Sequence, residues 1–177
     1  MGPTLETPRL VLRPPNAADF EPWVEMMQDP EVTRHLGGVS SAAVSWRAMA
    51  MMIGAWTLRG FSMFSVIEKA SGEWIGRIGP WQPEGWPGRE VGWALRRASW
   101  GQGLAAEAAA ACLDWVFGPL GWDEVIHCIA PDNDASIKLA ERLGSSVLGE
   151  GRLPAPLDIY DILIYGQTRE EWQTRKR

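Results

Sequence analysis

Short runs of alternating apolar and polar positions, separated by stretches of helical period, set the pattern of this chain. The first run, Arg9-Leu10-Val11-Leu12-Arg13, stops at Pro14-Pro15 and predicts a strand. Asn16 then caps a helix running to about residue 28, with Asp19 at its third position and Pro30 just past its end. A second helix is predicted over about 41–58, rich in Ala, Met and Trp and weakened by Gly54. Residues 61–68 and 73–79 are strand-like, joined by the hairpin turn Lys69-Ala70-Ser71-Gly72. A loop rich in Pro and Gly carries Trp81 and Trp86, and residues 89–96 alternate again with Val91, Trp93 and Leu95 on one face.

The rhythm changes in the second half. Trp100-Gly101-Gln102-Gly103-Leu104-Ala105 runs straight into an alanine-rich helix that ends near Phe117 at Gly118-Pro119. Only Glu107 and Asp114 interrupt its apolar surface, so it should lie buried against a sheet. Residues 124–130 form a short apolar strand, and Asn133 caps a helix ending at Leu143-Gly144. A further strand is predicted at 159–165, followed by a polar tail at 169–177. A hairpin followed by strand–helix units predicts an α/β fold, a mixed sheet with helices on both faces. Without a repeat or a linker, residues 1–177 read as one domain. That length buries about 70% of the unfolded surface.

Charge and composition remove several function classes. A formal charge of −5 argues against nucleic-acid binding, which rests on neutralising phosphates, and mildly favours a cationic or amine-bearing partner. Cys112 and Cys128 sit in apolar runs and read as buried thiols of a reducing compartment. With His35 and His127 the only histidines, no metal centre is expected. No signal pattern and no membrane-length apolar run is present, and Glu6 stands where a myristoylation signal needs Ser or Thr, so the expected location is cytoplasmic. Eleven Trp is a heavy load; the loop tryptophans either bind a ligand or pack onto the sheet.

The glycine pair before the alanine helix is the chemical signal. Ala favours helix and Gly disfavours it, so conformational preference switches within three residues. Such a junction suits an anion, because bare backbone can approach it and the helix start offers free N–H groups and a positive dipole end. A tight turn into a helix is the plainer alternative. A P-loop would need GxxxxGK[ST], and a Rossmann fingerprint would need a third Gly where Glu107 stands.

Trp100-Gly101-Gln102-Gly103-Leu104-Ala105 resembles the pyrophosphate motif Gln/Arg-x-x-Gly-x-Gly/Ala of the GNAT superfamily of acetyl-CoA-dependent N-acetyltransferases, with Trp in place of the first residue. The chain is similar to the branch containing the ribosomal-protein N-terminal acetyltransferases. That likeness runs from Thr7-Pro8-Arg9-Leu10 through Asp29-Pro30-Glu31-Val32 to the segment Asn133-Asp134-Ala135-Ser136 and onward to Gly144. It implies a largely antiparallel mixed sheet with two parallel strands splayed apart for acetyl-CoA. It also implies pyrophosphate held by the backbone of Gly101, Gln102, Gly103, Leu104 and Ala105. Leu95 backbone would pair with the pantetheine arm, and Asn133 would touch that arm besides capping its helix. Arg96 and Arg97 could add charge at the phosphates or remain solvated strand-end residues.

The Tyr that protonates the departing thiolate in many members of the superfamily is missing, its place being Ala140, and Ser136 is the substitute candidate. Glu90 and Asp161 are candidate bases or amine-positioning carboxylates, each equally readable as a paired or solvent-facing acid. The leading expectation is acetyl transfer to a primary amine, either a protein N-terminus or a small amine, by direct attack in a ternary complex. An acyl-CoA-binding regulatory module without turnover and a Trp-rich adaptor are the alternatives, and a homodimer is compatible with the Trp content.

Overall fold

In the computed structural model, residues 2–175 are described. Strands β1 (Leu5–Glu6) and β2 (Leu10–Arg13) come first, then a 3-10 turn at Ala17–Asp19 and helices α1 (Phe20–Gln28), α2 (Pro30–Thr33) and α3 (Ala42–Arg59). A meander of β3 (Phe64–Glu68), β4 (Trp74–Trp81) and β5 (Glu90–Leu95) leads into α4 (Leu104–Phe117) and β6 (Glu124–Ile129). The order closes with α5 (Asp134–Leu143), β7 (Ser146–Gly151), β8 (Ile162–Thr168) and α6 (Arg169–Arg175). Among the described residues the eight strands form one sheet, ordered β1-β2-β3-β4-β5-β6-β8-β7, in which only β5 and β6 run parallel. This is the mixed, largely antiparallel α/β architecture that the sequence led us to expect.

Each face of the sheet carries its own core. On one side α4 lays Ala108, Ala109, Cys112, Leu113 and Val116 against Leu12, Phe64, Ile78 and Val91. The alanines let the helix approach closely, and Leu143 of α5 and Trp172 of α6 join the same cluster. On the other side Trp23 and Met26 of α1 meet Met49 and Met52 of α3 over Trp74, Trp81 and Ala94. Strand β5 therefore divides its side chains, with Val91 and Leu95 toward α4 and Ala94 toward the α1–α3 layer.

The α1 layer is locked to the sheet by one buried carboxylate. Asp19, 2% exposed, takes a two-pronged bond from the Arg13 guanidinium at 2.7 and 2.8 Å, the Ser65 hydroxyl at 2.7 Å and the Asn16 N–H at 2.9 Å. Burial works against its charge, but these donors outweigh it and hold the carboxyl below its ordinary range. Its stabilisation is therefore full above about pH 4 and is lost as pH falls through the depressed value. Asp19→Ala is expected to cost about 3–5 kcal/mol in urea denaturation at pH 7, because it strands the Arg13 charge.

Several elements differ from expectation. Pro30 begins α2 rather than only ending α1, since Asp29 caps it with a bond to the Glu31 N–H. Trp81 lies not in a loop but at the end of β4, buried. The last strand starts at Ile162 rather than 159, with Ile159 exposed in the preceding turn, and runs on through buried Gln167. Residues 169–175 of the expected polar tail are helix α6, seated by buried Trp172, while 176–177 lie outside the described residues. Strands β1 and β7 were not anticipated.

Candidate active site

The site begins where the parallel pair stops. β5 and β6 register only at Glu90 and Ile126, with the Ile126 N–H on Arg89 O at 2.9 Å. Beyond that point the strands diverge, and an open cleft of about 390 Å³ lies between the α2 side and α5. Trp93, Ala94 and Leu95 line it from β5, Gly101 and Gly103 with the first turn of α4 at one end, and Asn133 and Ser136 from α5.

The glycine turn has the geometry its composition predicts. Gly101 and Gly103 sit at φ of 73° and 75°, the left-handed region in which a side chain is strained. Gly103 caps α4 with no side-chain hydrogen bond, so the first-turn N–H groups beside the cleft lack the cap that Asn133 gives α5. Glu107, the odd carboxylate on the alanine helix, anchors the turn. Its oxygens accept from Thr7 Oγ1 at 2.6 Å, from the Arg9 N–H at 2.9 Å and from Arg9 Nε at 2.6 Å, while Arg9 Nη1 donates to Gln102 O at 2.9 Å. Gln102 itself turns away from the cleft, its amide donating to Ala98 O at 2.9 Å.

Arg96 and Arg97 are not where phosphate charge was expected. Arg96 pairs with Glu73 at 2.6 Å, and Arg97 with Asp29 at 3.1 Å, and neither lines the cleft. The basic side chains that do line it are Lys138 and Arg142 of α5, which sequence reading passed over. Trp100, where the family motif has Gln or Arg, is half-exposed and donates its indole N–H to Leu95 O at 2.9 Å.

Ser136 stands in the cleft wall. Asn133 Oδ1 accepts from its N–H at 3.2 Å, and Ser136 Oγ accepts from Trp93 Nε1 at 3.1 Å. Ala140 is fully buried with Ile129 and Tyr165, so that position offers no acid. Asp161 is exposed, one residue before β8, and does not reach the cleft.

Glu90 lies at the head of the divergence, 7% exposed, on the face opposite Trp93. Its Oε2 accepts from Trp86 Nε1 at 2.6 Å and its Oε1 from the Cys128 N–H at 3.1 Å. Burial pushes the carboxyl up to about 7, against the pull of those bonds and of the Arg77 guanidinium. Arg77 is itself pulled down to about 10 by burial and lies over the Trp23 ring at 5.3 Å. The Cys128 thiol is pushed upward by burial and by Glu90, which keeps it protonated.

His127, 1% exposed, faces the α5 side. Its Nδ1 bonds Val91 O at 2.6 Å, and because a carbonyl only accepts, Nδ1 carries the proton. Nε2 then accepts from the Ser145 hydroxyl at 3.0 Å. Burial pulls the imidazole down to about 4, so it is neutral at pH 7. Among the described residues no group of three or more His, Cys, Asp or Glu is placed to hold a metal, and no helix is long and apolar enough to cross a membrane.

Comparison with known proteins finds relatives in sequence and in fold. Residues 9–146 match the acetyltransferase (GNAT) domain family. The chain is 36% identical over 143 residues to the uncharacterized N-acetyltransferase p20 of Bacillus licheniformis, covering 79% of this chain and 80% of that one. The crystal structure of an acetyltransferase from Agrobacterium tumefaciens superposes with a TM-score of 0.84 at 31% identity, over 94% of this chain and 95% of that chain. RimL, a ribosomal L7/L12 alpha-N-protein acetyltransferase solved in complex with coenzyme A, shares the fold with a TM-score of 0.76 at 16% identity, over 94% and 98% of the two chains.

Proposed function

The chain belongs to the GNAT acetyltransferase family, and from that premise we propose that it moves acetyl from acetyl-CoA to a primary amine, a protein N-terminus or a small amine, by direct attack in a ternary complex. The observation that carries the proposal is the cleft between the diverging strands, headed by an α4 N-terminus without a side-chain cap. An anionic pyrophosphate fits that end, because free N–H groups and the helix dipole both favour negative charge. Lys138 and Arg142 fit the remaining phosphate charge. The pantetheine arm would run along Leu95 toward the head of the divergence, sharing the Leu95 carbonyl with the Trp100 indole or displacing it.

The amine must be neutral to attack the thioester carbonyl. An α-amine, with a pKa near 8, is partly neutral at pH 7, whereas a lysine amine near 10.4 is not. Glu90, with its carboxyl near 7, is matched to take the proton released as the C–N bond forms. Glu90 is buried outside the cleft lining, with the Trp86 indole, the Cys128 N–H and the Cys128 thiol already on its oxygens, so the proton would reach it through a water at the head of the divergence rather than by direct contact with the amine. On the opposite wall, Ser136 Oγ accepts from Trp93, which leaves its own O–H as a donor for the departing thiolate. Asp161 has no part in this scheme, since it is exposed away from the cleft.

Ser136→Ala is expected to lower kcat by about tenfold to a hundredfold, with the KM for acetyl-CoA little changed, as loss of the hydrogen-bond donor that stabilises the departing thiolate requires. Steady-state kinetics at saturating amine measures this split. An unchanged kcat would remove Ser136 from thiolate stabilisation and leave it as a partner of Trp93. The proposal as a whole is tested by thioester consumption against a panel of amines: transfer to one of them supports it, and acetyl-CoA binding without turnover on any would leave a binding module.

A further inference from the structure

We infer that His127 is a positioning residue that, together with Glu90 on the opposite face, holds β5 and β6 apart so that the acyl-CoA arm can enter between them. The inference rests on the proposed placement of that arm. With Glu90 opposite Ile126, and the Ile126 N–H on Arg89 O, an unbroken parallel ladder would next join the Cys128 N–H to Val91 O. That bond is absent, yet neither group is left unpaired. Val91 O accepts from His127 Nδ1 at 2.6 Å, and the Cys128 N–H donates to Glu90 Oε1 at 3.1 Å.

One ladder bond that would draw the strands together is thus replaced by two side-chain bonds, one on each face, that satisfy the same backbone groups with the strands apart. A buried carbonyl or N–H without a partner is unfavourable, so removing either side chain leaves the ladder bond as the remaining way to satisfy the backbone. Closing that bond narrows the cleft head.

His127 is held rigidly for this task. Ser145 Oγ, which donates to Nε2, itself accepts from Gln167 Nε2 at 2.9 Å, and the Trp93 ring lies 4.8 Å from the imidazole. Trp93 in turn donates to Ser136, so the imidazole also fixes the ring that lines the cleft. The imidazole is neutral, fully buried and outside the cleft lining, which separates it from any group that touches substrate.

Two substitutions separate positioning from simple packing. In His127→Asn the amide nitrogen falls where Nδ1 was and keeps the donor to Val91 O. In His127→Gln the longer amide reaches toward Ser145 and offers Val91 O nothing. Both lose the ring, so lost packing alone moves them alike. The expected result is an acetyl-CoA KM raised about tenfold in the Gln variant, with kcat within about twofold, and a KM within about threefold of wild type in the Asn variant.

Equal KM values in the two variants, or a Gln variant with wild-type KM, would overturn the inference. If the Gln variant does not fold, Ser145→Ala frees the imidazole without emptying its site, and an acetyl-CoA KM unchanged there overturns the inference equally. A wild type that binds no acetyl-CoA in calorimetry would instead overturn the placement of the arm, and this inference with it.

Discussion

Glu90→Gln is expected to lower turnover by about 10²–10³-fold while leaving acetyl-CoA affinity within about twofold of wild type. The size follows from losing a positioned base whose carboxyl lies near 7 and is therefore half ionised at the working pH. The selectivity follows from geometry. The Gln amide oxygen can still accept from the Cys128 N–H, so the strand divergence persists, while the Trp86 indole loses its acceptor.

Stability should change little, because two terms of similar size oppose each other. Raising a carboxyl from 4.5 to about 7 means that folding disfavours its ionised form, a penalty of about 3 kcal/mol at high pH that Gln removes. The penalty is absent below about pH 4, develops as pH rises toward 7 and is constant above it. Against that relief stands an unpaired indole N–H at a cost of about 1–3 kcal/mol. Wild-type kcat should therefore climb with pH through a limb near 7, and the Gln variant should show no such limb. A variant with wild-type turnover across pH 6 to 9 would remove Glu90 from the chemistry.

Gly103→Val should weaken acetyl-CoA binding by about a hundredfold, or about 2.7 kcal/mol, the scale of one or two hydrogen bonds to a charged group. The added Cβ meets only Arg9 Nη2 at 3.6 Å, an ordinary contact, so the folded chain has room for it. Two other costs apply. At φ of 75° a β-branched residue is strained by about 1–2 kcal/mol, and its methyls project at the cleft end where first-turn N–H groups would meet phosphate. Turnover at saturating acetyl-CoA should survive, since the acetyl end of the arm is remote from this turn. Gly54→Ala, in mid-α3 with open space at its Cβ, serves as the control, and it should gain about 0.5–1 kcal/mol of stability and leave binding alone. Equal binding by Gly103→Val and wild type would mean that the turn holds no anion.

What could be read in the sequence was whatever is fixed locally. Asn133 and Gly144 bracket α5 as their cap chemistry requires, the first accepting from the Ser136 N–H and the second at φ of 99°. The glycine turn, the alternation of β5 and the burial of α4 follow from short-range preference and periodicity in the same way. Edge strands were missed for a physical reason. β7 is almost wholly exposed and bulges near Gly149, so no burial pattern marks it. β1 has only two residues.

Site residues divided on the same line. Ser136, Gly101 and Gly103 line the cleft, a placement that local motif and cap chemistry made legible. Arg96 and Arg97 stayed open between the phosphates and solvent because their partners Glu73 and Asp29 are distant in sequence and near only in the fold. Lys138 and Arg142, one helical turn apart on α5, gave a usable signal as two like charges on one helix face. His127 gave none, because its role depends on where a parallel ladder stops, which no single strand encodes.

The most direct test of acetyl-CoA binding in this cleft is thermal melting of the wild type and Gly103→Val with saturating acetyl-CoA, beside ATP and NAD. At about 100 times its Kd the ligand adds roughly 2.7 kcal/mol, which should raise the wild-type Tm by about 5–10 °C. The account predicts that rise with acetyl-CoA alone and its loss in Gly103→Val at the same concentration. A wild type whose Tm does not move with acetyl-CoA, or moves equally with ATP and NAD, would contradict it.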